Sequence, residues 1–206
     1  LGLVLRDRTA RQLLLVALVN AAPVAVTSTL FLFFVESVLR APGQEGPLLL
    51  LFFLAAALSA PAWGRLAERF GTRRVLLAAM VLAIGSFALV LTLGAGDTLA
   101  FAAICIVSGA ALGADMTLLP ALFSDRMARI APDASDAFGL WSFVSKFTLA
   151  FAAVALLPAL DAAGFQSGGD SPQAALDLLT LLYAGVPCAL KLVAIALLAT
   201  TPLNGR

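Results

Sequence analysis

Six apolar runs, near residues 12–38, 48–66, 75–95, 99–123, 138–160 and 177–200, leave this chain few folds to choose from. Each is about 20 residues or longer, so as a helix each reaches across roughly 30 Å of hydrocarbon. In lipid every backbone N–H and C=O needs a partner within the protein, and an α-helix supplies one inside its own segment. The fold class is therefore an all-α membrane protein, six transmembrane helices in a lipid bilayer. Composition agrees: 62% of the 206 residues are hydrophobic and 12% charged, where a soluble domain carries about a quarter charged residues.

The charges fall into two groups if the spans alternate in direction. Arg6, Arg8, Arg11, Arg65, Arg69, Arg73, Arg74, Arg126, Arg129 and Arg206 share one end, while the opposite loops hold Arg40 beside Glu45, Asp97, Asp161 and Asp170. The positive-inside rule then puts both termini in the cytoplasm, and the expected location is the cell (inner) membrane. These arginines are scattered over short loops beside apolar helices, so no nucleic-acid partner is expected. The chain begins at Leu1 rather than methionine and is read as a fragment of a longer chain.

Ionisable residues inside spans carry the functional signal, because each costs roughly 2.5–3.5 kcal/mol at mid-bilayer and normally faces protein or a wet cavity. Lys146 lies in the run Phe138–Ala153, about nine residues and roughly 13 Å of helix rise into its span. Ser142 is one turn from Lys146, and Trp141 one turn from Ser145. That face offers an aromatic platform, hydroxyls and a charge, which can stack on a sugar and hydrogen-bond it; the alternative for Trp141 is an interfacial belt residue. Asp115 reads as a proton or cation relay, as a partner for Lys146, or as a residue hydrated near the inner surface. Lys191, in the sixth span, is expected to snorkel to the surface. If all three faced lipid the penalty would approach roughly 9 kcal/mol, so at least some are inside or paired.

Weaker signals surround these residues. Asn20, Pro23 and Thr27 recur at helical spacing, either as a cavity-lining face or as polar helix packing. Gly109 and Gly113 make a small-xxx-small face for close helix contact. Cys105 and Cys188 have no metal-ligand spacing and read as small apolar side chains, so neither a metal site nor a cofactor is expected. The absence of histidine removes zinc and Ser-His hydrolases, and a lone Asp115 lacks the second aspartate of an aspartyl site. No enzyme is expected.

Between the second and third runs stands Gly64-Arg-Leu-Ala-Glu-Arg-Phe-Gly-Thr-Arg-Arg74. It resembles the Gly-x-Leu-Ala-acidic-Arg-x-Gly-x-Arg-Arg loop of the major facilitator superfamily, in the position that loop occupies in each six-helix half. The resemblance implies a cytoplasmic gate of Gly64, Glu68, Arg69, Gly71, Arg73 and Arg74, with Asp125 from the later inner loop. In it Gly64 would allow close helix approach, Gly71 the tight turn, and Glu68 ion pairs with the arginines. From Leu119 to about Ala153, Pro120, Asp125, Gly139, Trp141, Ser142, Phe143 and Lys146 resemble helices ten and eleven of the glycoside-pentoside-hexuronide:cation symporters, the melibiose-permease-like branch.

That likeness implies the C-terminal half of a secondary transporter, built from two three-helix repeats of inverted topology. Its implied work is cation-coupled (Na⁺ or H⁺) symport of a sugar or glycoside by alternating access, with Lys146 in coupling. An N-terminal six-helix half would be the partner and would hold the main cation and sugar sites. The alternatives are a transporter of a lipid or other amphiphile, and a self-contained six-helix protein acting as a homodimer or scaffold.

Overall fold

The computed structural model describes residues 6–130, 135–167 and 171–201, without the side chains of 135–138 and 145. Six helical spans among them are long and apolar enough to cross a membrane. They are built by α1 (Arg8–Phe33) with a π-helical end (Phe34–Val38), α2 (Glu45–Phe70), α3 (Thr72–Val90), α4 (Thr98–Ile130), α5 (Ser135–Ala162), and α6 (Gln173–Thr180), which a second π-helical turn (Leu181–Gly185) joins to α7 (Val186–Thr200). Two of the end charges, Arg206 and Asp170, lie outside the described residues.

Local chemistry sets the element ends. Asp7 caps α1, its carboxylate accepting from the Ala10 N–H at 2.7 Å. Gly71 alone separates α2 from α3 at φ +89°, a left-handed conformation that a side chain disfavours, so the tight turn read from the sequence is present. Pro23, Pro61, Pro120 and Pro158 sit inside helices, which neighbouring helices tolerate in a membrane bundle. Beside Pro23, the Thr27 hydroxyl donates to the Pro23 carbonyl at 3.0 Å.

The spans pack in a pattern that maps onto itself. The first packs on the fifth and sixth, the fourth packs on the second and third, and the third meets the sixth. Exchanging spans one to three with four to six leaves that set unchanged. Three spans reverse the chain's direction across the bilayer, so the two halves of this pattern run oppositely, an inverted repeat that the residues themselves do not display. The helices α1 and α4 are central: 56% of the apolar window of α4 is buried, against 11% for α2.

The helices α2 and α4 approach closely. A Cβ on Gly113 would come within 2.5 Å of the Ala56 carbonyl oxygen and of Ser59 Oγ, and one on Gly109 would strike Phe52. Around that approach the Ser59 hydroxyl and the Trp63 indole N–H both donate to the Ala110 carbonyl, at 3.1 and 2.7 Å. The Gly109/Gly113 face thus does what its spacing predicts. Gly64 makes no such contact within this bundle: a Cβ there meets nothing within 4 Å among the described residues.

Candidate functional site

Three spans each send one polar side chain to a common point. Asn20 comes from α1, Asp115 from α4 and Lys191 from α7, with relative exposures of 5%, 8% and 5%. The Lys191 ammonium donates to Asn20 Oδ1 at 2.7 Å and to Asp115 Oδ2. The expectation that Lys191 snorkels to the surface is corrected here, as is the pairing of Asp115 with Lys146. A four-carbon stem that could have reached water turns inward, where a carboxylate and an amide carbonyl replace the water lost by the ammonium. The π-helical turn inserts an extra residue before α7, which rotates the faces of α7 by roughly 100° relative to a regular 3.6-residue period.

One hydrogen-bonding position of the triad stays open. Asp115 Oδ1 is buried and accepts no hydrogen bond among the described residues. Asp115 and Asn20 also line a groove of about 390 Å³ along α1 and α4, flanked by Phe53 of α2 and by Trp141 and Leu149 of α5. That volume is in the range of small-molecule sites, roughly 300–1,000 Å³, as is a mainly apolar wall with a few converging polar groups. Ser28 and Phe53 continue into a second pocket of about 300 Å³ lined by Phe31, Phe52, Phe87, Phe101 and Tyr183. Beyond that wall, Phe34 and Tyr183, one from each π-helical segment, stack at 4.5 Å and 10° and hold these segments together.

The other candidates are placed differently. Trp141 is half-buried, its ring 5.0 Å from that of Phe123, and it lines the groove. Ser142 and Lys146 are exposed on α5, and Lys146 forms no ion pair within the described residues. Its neighbours Phe143, Phe147 and Phe151 form an exposed stacked ladder at 5.9 and 6.3 Å. The side chain of Ser145 lies outside the described residues. The structure therefore brings Asn20, Asp115 and Trp141 to one groove, and leaves Ser142 and Lys146 out of the triad.

At the arginine-rich end, the Arg73 guanidinium donates to the Ala199 carbonyl, where the last turn of α7 carries partial negative charge. Arg69 lies over the Phe70 ring at 5.3 Å. Glu68, Arg74 and Asp125 are exposed, and no ion pair of the described residues includes Glu68, so the pairing expected of it is not formed within this bundle. An unforeseen pair ties the ends of α1 and α4. Arg126 donates to both carboxylate oxygens of Asp7, at 3.1 and 2.5 Å. That hydrogen bonding, above all, holds the Asp7 carboxyl below its usual range. The acidic residue within the basic lead-in Arg6-Asp7-Arg8 was the available signal.

A family model described as MFS/sugar transport protein matches residues 1–205. No curated protein matches the chain.

Proposed function

Because the chain belongs to the MFS/sugar transport protein family, a family of membrane-embedded transporters, we propose that it serves cation-coupled symport of a sugar or glycoside by alternating access. The observation that carries this reading is the groove along α1 and α4, whose apolar wall converges on Asn20 and Asp115. A bundle needing only stability would fill that space with side chains, since a buried ion pair is weak evidence for stability. In this reading the open side of the groove, between α2 and α5, faces a second six-helix half. That half supplies the main cation site, for Na⁺ or H⁺. The arginine-rich end, with Arg73, Arg74, Glu68 and Asp125, faces the cytoplasm of a cell membrane and forms the gate.

Lys146 then belongs to the surface where the two halves meet, together with Ser142 and the aromatic ladder of α5, and senses loading there. In proteoliposomes holding the full-length protein, an imposed Na⁺ or H⁺ gradient should accumulate labelled sugar, and a matching ionophore should abolish it. Lys146→Ala should lose accumulation while the protein stays in the membrane. Undiminished accumulation by that variant would remove Lys146 from coupling.

A second reading has its own support. The aromatic pocket continuing from the groove suits the apolar part of an amphiphile, with its polar head at Asn20 and Asp115. Competition of a short-chain lysolipid against sugar for binding separates the two.

A further inference from the structure

Lys191 uses one oxygen of each partner: Oδ1 of Asn20 and Oδ2 of Asp115. Because the ammonium can only donate, it fixes the Asn20 amide with its oxygen toward Lys191. What remains is Asp115 Oδ1, a buried acceptor without a hydrogen bond among the described residues, since the Asn20 amide is already turned to Lys191 and Asp115. Both residues line the same groove. An open acceptor suits a neutral donor, and a hydroxyl is the simplest such group.

Charge decides against the other occupant a lone carboxylate suggests. Asp115 is already neutralised by Lys191, so a metal cation added there would leave a net positive charge in a low-dielectric interior, beside an ammonium. A neutral hydroxyl adds no charge and satisfies the open oxygen. We infer that Asn20 and Asp115, pinned by Lys191, form a subsite for an uncharged hydroxyl of the cargo and not for a metal cation. The inference rests on the transport reading and adds to it which group of the cargo these residues hold. Lys191 is a positioning residue here, since it acts through the two groups it orients. Trp141, on the far wall of the same groove, offers its ring to the apolar face of a ligand so held.

The test is infrared difference spectroscopy on the full-length protein in liposomes. The Asp115 carboxylate band is assigned by its loss in the double variant Asp115→Leu/Lys191→Met, which removes both charges together. An equimolar mixture of uncharged pentoses, hexoses and disaccharides should shift that band, and NaCl should not. The double variant should bind the effective sugar about tenfold or more weakly, the loss of one hydrogen bond to a charged group. A shift with NaCl alone would make this a cation site and overturn the inference. A band that responds only to heavy-oxygen water would leave a resident water as the occupant, and would overturn it too. Sugar binding with neither band shift nor affinity loss would sink the subsite while leaving transport intact. Failure of the unmodified protein to bind any sugar in the mixture would instead remove the sugar-transport reading and the subsite with it.

Discussion

Lys191 shows how much one side chain's direction matters. An ammonium at this depth is stable because it is paired twice, and removing it alone strands the Asp115 carboxylate. Lys191→Met should therefore destabilise the bundle by about 3–5 kcal/mol, whereas Asp115→Leu/Lys191→Met together should lie near the unmodified protein or above it. Thermal unfolding in detergent reads the difference. Equal losses in the two variants would mean that the pair itself holds the bundle. At the surface, Asp7 and Arg126 make a milder pair, contributing about 0.2–1 kcal/mol. The Asp7 pKa is lowered from 3.8, so the contribution is present above that value and is lost as the pH falls through the folded-state pKa below it. Arg126→Gln should accordingly cost stability at neutral pH, with the gap from the unmodified protein closing at acidic pH. A gap independent of pH would assign the loss to packing.

At the scale of elements, the helix contacts give opposite expectations for two glycines in one hydropathic setting. Gly113→Ala places a Cβ against the Ala56 carbonyl and Ser59, and should cost about 1–3 kcal/mol through separation of α2 from α4. Gly64→Ala meets open space in the middle of a helix and should be neutral or stabilising by about 0.5–1 kcal/mol. Unfolding midpoints of the two variants check both signs. The spacing of Gly109 and Gly113 made their contact legible in the sequence. The openness of Gly64 was not, since it depends on which face of α2 has a neighbour. The same limit applies to α5. It is apolar nearly all round, so its hydrophobic pattern carries no phase, and nothing in it says whether Lys146 faces inward or outward. Trp141 reaches the groove while Lys146, 5 residues on, points elsewhere.

For the whole molecule, span number and fold class were legible because a bilayer imposes length and apolarity on each helix independently. The Asn20–Asp115–Lys191 triad required three spans to converge, and the π-helical turn in the sixth broke the register that would have revealed it. The contact pattern adds the inverted repeat, which places the centre of the groove where α1 and α4 meet. In the proposed transport function this groove is a solvent-connected pathway. Ser28 is exposed within it, and a single cysteine at that position, in the full-length protein with Cys105 and Cys188 replaced by alanine, reports on its access. A membrane-impermeant maleimide should label that cysteine, and bound cargo should change the labelling rate. Labelling only by a lipid-soluble maleimide, at a rate indifferent to cargo, would show that the groove faces the bilayer and is no transport pathway.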